Sequence, residues 1–382
     1  MAEKLFAEFP PVTTEQWEEV IQKDLKGADY EKKLVWRTQE GFSVRPYYRA
    51  ENLKDIKHLG TEAGVFPFVR GTKDDNNWLT RQDYCTVSEG FEGANKQAVD
   101  GLAKGLNSVG FYVDGKKAIA VEDMKVLVKG IDLAKVEVNF RACCCATAEI
   151  VKSFVAVAAE QGVAPEDLKA SFDYDPVRGL NKNGKFCTDG YVAKMKEILE
   201  VVKDWPRVRV FGVEAYAFND AGSSIVEELA FALAIGSEYM NALIEAGVKP
   251  EEAARRMKFT FSVGSTYFME IAKFRAARML WAQIVAQYTP CKEAAKMHVC
   301  AITTTYNMTV FDSYVNMLRT QTETMSAAIA GVESIVVAPF DTPYEVVENR
   351  KEAILDGNKF NSPIPNSNTT NEIKNNLEDK KE

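Results

Sequence analysis

From Trp78 onward, short β-branched and aromatic runs alternate with longer amphipathic stretches. The runs fall at 78–84 (WLTRQDY), 109–113 (VGFYV), 135–141 (KVEVNFR) and 169–174 (KASFDY). Four more follow at 207–213 (RVRVFGV), 258–263 (KFTFSV), 297–303 (MHVCAIT) and 334–338 (SIVVA). Their length and composition predict strands. Between them the apolar period changes to that of a helix. Ile150, Val151, Phe154, Val155 and Ala158 form one stripe, and Val192, Met195, Ile198, Leu199 and Val202 another. Ser224 with Glu227 reads as a capping box, opening a helix whose buried face runs through Ile225, Leu229, Leu233, Gly236 and Met240.

Eight strands, each followed by a helix, over roughly 270 residues predict an α/β fold of the (β/α)8 TIM-barrel kind. A doubly wound open sheet is the competing arrangement, but no Gly-rich dinucleotide loop follows any strand. The flanks differ from the barrel. Residues 1–70 read as an extended and helical arm. In it, Thr13 and Gln16 form a capping box, and Trp17, Val20, Ile21 and Leu25 share a helical face. An aromatic and arginine-rich stretch without clear period follows, LVWRTQEGFSVRPYYRAENL, of the kind that docks on another surface. The barrel is expected over 71–355. Residues 356–382, rich in Asn, Ser, Pro and charge, read as a linker or disordered tail.

Bulk composition narrows the setting. At 382 residues, 46% hydrophobic and 27% charged, the chain has the make-up of a soluble globular protein with a large core. A net charge of −8 argues against nucleic-acid and anionic-membrane partners, which need a basic face. No stretch is long and apolar enough to cross a bilayer, and the start MAEKLFAEFPP lacks the pattern of a signal peptide. The seven cysteines show no paired spacing, so a reducing, cytoplasmic compartment is expected.

In a barrel of this kind chemistry gathers at the C-terminal strand ends. Asp173 and Asp175, two apart after the fourth strand, could bind a metal or divide acid and base roles. The plainer reading is that they cap the loop DPVRGLNKNG and pair with Arg178, Lys182 or Lys185. Glu214 and Asp220, after the fifth strand, are weaker candidates of the same kind. If Cys143, Cys144 and Cys145 continue the third strand they alternate faces and cannot converge on one ion, so they read as small buried hydrophobes. The two histidines, His58 and His298, are poorly placed for proton transfer, His298 lying at the start of the seventh strand. No Walker loop, nucleophile elbow or HExxH motif occurs.

The stretches KAIAVEDMKVLVKGIDLAKVEV, VAVAAEQGVAPEDLKASF and FMEIAKFRAARMLWAQIVAQY resemble the barrel domain of methylmalonyl-CoA mutases. The likeness runs from the arm (EFPPVTTEQWEEVIQKDLKGADYEKKLVW) to about Glu345. It implies a fold in which CoA threads the barrel axis and a separate domain supplies adenosylcobalamin for radical interconversion of methylmalonyl-CoA and succinyl-CoA. Three segments depart from the catalytic pattern. The family's Tyr-His-Met-Gln-Glu-Ala-Gly run is here Tyr216-Ala217-Phe218-Asn219-Asp220-Ala221-Gly222, with Ala217 in the histidine position. The Thr-Met-Tyr loop before the first strand is replaced by GTKDDNNWLTRQ, and Arg-Thr-His-Ser-Gln-Thr-Ser-Gly by the segment from His298 to Thr305.

This pattern resembles the small, non-catalytic subunit type of the family. It implies a heterodimer with a catalytic large subunit that carries the adenosylcobalamin, in propionate metabolism. It implies no catalytic, cofactor-binding or metal-binding residue in this chain. Phe140, Phe172, Tyr174, Phe211, Phe259 and Phe261 agree with such a loss if they face the axis, since a threaded CoA needs small lining residues. Small subunits of the family continue past the barrel, whereas this sequence ends in an Asn-rich segment, as a fragment or a diverged short form would. Two other readings stay open: an independent barrel enzyme using Asp173, Asp175 and Glu214, and a CoA-binding or chaperone-like module.

Overall fold

The computed structural model describes residues 8–113, 119–184 and 190–343, with the side chains of Lys182 and Asn183 excepted. The expected tail at 356–382 and Lys185 lie outside the described residues. Contacts divide the chain into two compact units, the first ending at Gly60 and the second starting at Thr61.

The first unit holds helices α1 (Thr14–Asp24) and α2 (Tyr30–Leu34), then strands β1 (Trp36–Arg37) and β2 (Ser43–Val44) paired antiparallel, then a short 3-10 turn at Ala50–Leu53. The Thr13–Gln16 capping box is formed. The stretch without clear period is thus a small hairpin and turn, organised by rings more than by repeats. Trp17 stacks on Tyr47 with centroids 4.9 Å apart, and the Arg49 guanidinium lies 5.9 Å from the Trp17 ring centre. Arg49 also donates to the Val12 carbonyl at 2.7 Å. Even so, α1 has no buried residue, and Trp17, Val20, Phe42 and Tyr48 are all exposed.

In the second unit eight parallel strands close into a barrel. They are β3 (Leu79–Cys85), β4 (Ser108–Tyr112), β5 (Glu137–Arg141), β6 (Ala170–Tyr174), β7 (Val208–Glu214), β8 (Met257–Val263), β9 (Val299–Thr303) and β10 (Ser334–Val336). Each coincides with a strand expected from the sequence, and β10 closes the ring by pairing with both β9 and β3. The helices between them are α3 (Thr86–Ala103), α4 (Val121–Leu127), α5 (Cys144–Glu160), α6 (Pro176–Asn183) and α7 (Tyr191–Val201). After β7 come α8 (Tyr216–Asp220), α9 (Ile225–Glu245) and α10 (Pro250–Arg255), followed by α11 (Tyr267–Val285) and α12 (Val315–Ala330). The Ser224–Glu227 capping box opens α9, and Met195, Ile198 and Leu199 bury the expected face of α7.

The hydrophobic core lies between strands and helices, not on the axis. Phe140 and Phe172 stack with centroids 5.1 Å apart, and Phe154 of α5 packs edge-on against both. On the far side Phe259 meets Trp281 and Phe261 meets Phe274, both partners on α11. Tyr174 reaches the Tyr191 carbonyl at the start of α7. Phe211 precedes Gly212, whose Cα faces Asp173 inside the barrel, and therefore takes the outer face. The aromatics expected to narrow the axis thus face outward. Strands such as β6 and β8 are buried on both faces, so a period of two fixes which residues share a face but not which face is inner.

The inner face is polar and charged. Arg81 and Asp83 of β3 pair at 2.6 Å, Lys258 of β8 reaches Asp173 of β6 at 2.6 Å, and Arg141 of β5 reaches Glu214 of β7 at 3.0 Å. Two glycines make the necessary room. A Cβ on Gly110 would lie 1.9 Å from Asp83 Oδ1, and one on Gly212 would lie 2.9 Å from the Asp173 Cα. Gly212 is placed inward by a bulge, where the Val210 and Phe211 N–H groups both donate to the Arg256 carbonyl, at 2.9 and 3.0 Å.

Candidate functional site

The candidate carboxylates converge at the C-terminal ends of β5, β6 and β7. Glu214 ends β7 and accepts ion pairs from Arg141 at 3.0 Å and from Arg178, on α6, at 2.8 Å. Asp173, in β6, faces Lys258 at 2.6 Å with Arg141 farther off at 3.9 Å. Burial alone would raise the Asp173 carboxyl, but the Lys258, Arg141 and Arg81 charges outweigh it and hold the group below its ordinary 3.8. Asp173 is therefore an ionised anchor beside Lys258, and Glu214 stands between two guanidinium groups.

Asp175 differs. It is the N-cap of α6, taking the Arg178 N–H at 3.0 Å on Oδ1. Tyr239 donates to the same oxygen at 2.5 Å, and the Glu214 N–H reaches Oδ2 at 3.1 Å. Burial, then the neighbouring Glu214 charge, pushes its carboxyl up to about 6. With both oxygens occupied and only 2% exposure, it is a structural cap. The capping half of the plainer sequence reading holds for Asp175. Of the pairing half, Arg178 serves Glu214 and Asp173 pairs with Lys258, while the Lys182 side chain and Lys185 lie outside the described residues.

The Tyr216 hydroxyl lies 3.4 Å from Glu214 Oε2, and Arg141 sits 5.1 Å over the Tyr216 ring. Ala217 follows in α8. Asp220 stands apart from this group, accepting from Thr304 Oγ1 at 2.8 Å and from the Thr305 N–H at 3.3 Å, with its carboxyl raised by burial. The half-buried His298 is held well below 6.5 by desolvation and by the cations Arg209 and Lys258. His58 belongs to the first unit.

The cysteine run does not continue the third strand, which ends at Arg141. Cys143 is the N-cap of α5 and Cys144 its first residue. Cys144 is buried with its thiol 3.2 Å from the Asp175 carbonyl, while Cys143 and Cys145 are exposed, contrary to the expectation of three small buried hydrophobes. Helical geometry separates them as strand alternation would have. Among the described residues no group of three or more His, Cys, Asp and Glu side chains could hold a metal ion. None of the described helices is long and apolar enough to cross a membrane.

Arg81, Asp83, Arg141 and Lys258 are the determining residues that sequence reasoning did not single out. Their signal was present: Arg81-x-Asp83, Glu137-x-Asn139-x-Arg141, Ser171-x-Asp173 and Lys258-x-Thr260-x-Ser262 each place polar groups at a period of two within a strand. Together these side chains occupy the interior of the cylinder, and the residues present do not fit a CoA ester on the axis.

Parallel strands closed around a charged axis, with arginines and carboxylates gathered at their C-terminal ends, define a (β/α)8 barrel built on the plan of an enzyme. The chain belongs to the methylmalonyl-CoA mutase family, whose sequence model matches residues 113–354. It is 47% identical over 354 residues to the methylmalonyl-CoA mutase small subunit of Porphyromonas gingivalis, across 92% of this chain and 57% of that protein. The small subunit of Streptomyces virginiae is 30% identical over 88% of this chain and 55% of its own length. The methylmalonyl-CoA mutase of Rhizobium meliloti is 31% identical over 86% and 50%. The chain spans about half the length of these relatives.

Proposed function

We propose that this chain is a non-catalytic small subunit that pairs with, and stabilises, the catalytic large subunit of an adenosylcobalamin-dependent methylmalonyl-CoA mutase in the cytoplasm. The observation that carries the reading is the filled axis. Where substrate would thread, Arg141, Glu214 and Arg178 form one buried ion-pair group and Asp173 with Lys258 another. Opening that path would strand several buried charges, each at a cost of several kcal/mol. Ala217 adds to it, since methyl cannot donate the proton that the family's histidine supplies. The cofactor and the chemistry then belong to the partner, which would serve propionate metabolism.

The arm expected over residues 1–70 shortens to 1–60 as the partner-docking segment in this reading, because residues from Thr61 belong to the second unit and Phe68 is part of its core. The first unit leaves Trp17, Val20, Phe42 and Tyr48 exposed beside Arg45 and Arg49, the residue types favoured at interface centres. Co-expression with a mutase large subunit tests the proposal. The two chains are expected to co-purify, and this chain alone is expected to show no turnover of methylmalonyl-CoA with added adenosylcobalamin. Turnover by the isolated chain, or failure to pair, overturns the reading. Deleting residues 1–60 is expected to abolish pairing while the barrel keeps a cooperative melt; residues 61–70 must stay, because the Phe68 and Val69 carbonyls accept from the buried Arg278 guanidinium at 3.1 and 3.4 Å.

The alternative of an independent enzyme using Asp173, Asp175 and Glu214 is disfavoured because Asp173 and Glu214 are buried in ion pairs with Lys258, Arg141 and Arg178, and Asp175 is a helix cap. A free CoA-binding module is disfavoured by the same filled axis.

A further inference from the structure

Above the C-terminal end of the barrel lie three buried carboxyl groups, two of which share one buried ammonium. Glu228 (α9), Glu270 (α11) and Glu323 (α12) are each at most 1% exposed. Lys273 donates to Glu228 at 2.7 Å and to the Ser262 carbonyl at 2.8 Å, and forms an ion pair with Glu270 at 2.7 Å. Glu228 also takes the Ser262 N–H at 2.7 Å. Glu323 has no such cation. Its hydrogen-bond partner is the Asn307 side-chain amide, which donates to Oε1 at 2.7 Å. Two buried oxygens in that same pair, Glu323 Oε2 and Asn307 Oδ1, have no hydrogen-bond partner among the described residues.

One proton removes both deficits. A carboxylic acid and a carboxamide are complementary at two points, whereas a carboxylate leaves an oxygen and the amide carbonyl in repulsion. The geometry points to a proton-dependent clasp, in which Glu323 is the neutral acid and its Oε2–H donates to Asn307 Oδ1 while Asn307 Nδ2 donates to Oε1. The charged groups around Glu323 agree with this assignment. Glu270 on α11 opposes ionisation, with Lys273 already committed to it and to Glu228, and Arg319 on α12 gives only partial relief while reaching Asn316 Oδ1 at 3.1 Å. Burial, opposed by the Asn307 bond and aided by Glu270, raises the Glu323 carboxyl to about 7.

The clasp holds the loop after β9. That segment is fastened at one end by Thr304 and Thr305 to Asp220, and at the other by Asn316, whose side chain accepts the Thr309 N–H at 3.0 Å. Asn307 is the anchor between them. The loop carries Tyr306, Phe311 and Tyr314, exposed by 69%, 64% and 66%. Loss of the Glu323 proton therefore loosens an aromatic surface, and the position of that surface responds to pH near neutrality.

Hydrogen exchange of the full chain tests this, with protection of residues 304–311 corrected for intrinsic exchange and compared at pH 6 and pH 8.5. Wild-type protection is expected to fall several-fold on going to pH 8.5. Glu323→Gln, which keeps a neutral two-point partner for Asn307, is expected to hold its protection at both pH values. Asn307→Ala is expected to show low protection at both, and serves in place of the first variant if that one does not fold. Infrared difference spectra of wild type against Glu323→Gln are expected to contain a protonated-carboxyl band at pH 6 that is gone at pH 8.5. PH-independent protection in wild type, an equal fall in Glu323→Gln, or absence of that band overturns the clasp.

Discussion

Replacing Lys258 by methionine measures how much the charged axis depends on each of its members. Lys258 is 1% exposed and Asp173 is 2% exposed, and the ammonium also donates to Ser171 Oγ at 2.7 Å. Methionine preserves the volume of the stem and removes the charge. Asp173 is then left with Arg141 at 3.9 Å, a cation already engaged at 3.0 Å by Glu214. Breaking a buried pair from one side costs about 3–5 kcal/mol, against a total stability of about 5–15 kcal/mol for a typical domain. Urea unfolding at pH 7 is the assay, with the midpoint shift read at constant m-value. The sign of the pH dependence gives a second check. In wild type the depressed Asp173 carboxyl contributes stability that is present above 3.8 and lost as pH falls below it. In Lys258→Met burial dominates, the carboxyl rises, and the defect shrinks as the solution is acidified from neutrality. Asp173→Asn combined with Lys258→Met removes both charges and is expected to recover more than half of the single-variant loss. A single-variant cost below about 1 kcal/mol, or a double variant as unstable as the sum of both singles, refutes the reasoning.

Ala217→His alone is expected to give no mutase turnover with added adenosylcobalamin, because catalytic groups act as a unit and the axis stays filled; measurable turnover counts against the filled-axis reading. Gly212→Ala puts a Cβ 2.9 Å from the Asp173 Cα, a backbone atom that cannot step aside, and is expected to lower stability by about 1–3 kcal/mol in urea. The Glu228 carboxyl is raised to about 7, first by burial and then, against the Lys273 charge and its hydrogen bond, by Glu270. A group raised in the folded state makes stability fall as pH climbs from about 4.5 to about 7. The wild-type urea midpoint should therefore drop over that window, and drop less in Glu228→Gln.

The strands were legible because they are short runs rich in β-branched and aromatic residues bounded by helical periodicity, as at Val208–Glu214 and Met257–Val263. Cap signals at Thr13 and Ser224 also carried through to the fold, since capping is local chemistry. Which strand face is inner was not legible. Phe259 and Lys258 are neighbours in a strand buried on both sides, and only closure of the barrel decides that the aromatic goes out and the lysine in. The bulge at Val210 and Phe211 shifts the alternation within β7, which no period reveals. The cysteine run was misplaced for a simpler reason: the strand stops at Arg141, and the helix begins two residues sooner than a strand-like run of small side chains suggests.

The axial ion pairs skip a strand. Lys258 on β8 reaches over β7 to Asp173 on β6, and Arg141 on β5 reaches over β6 to Glu214 on β7. Such an arrangement acts on descent as well as on stability. No single substitution among these residues reopens the axis, because each one first leaves a partner charged and dry. A lineage carrying this barrel could regain a threaded substrate only through several changes at once, or through intermediates less stable than either end. The interior thus resists single-step change, since each such step passes through a state with a buried, unpaired charge.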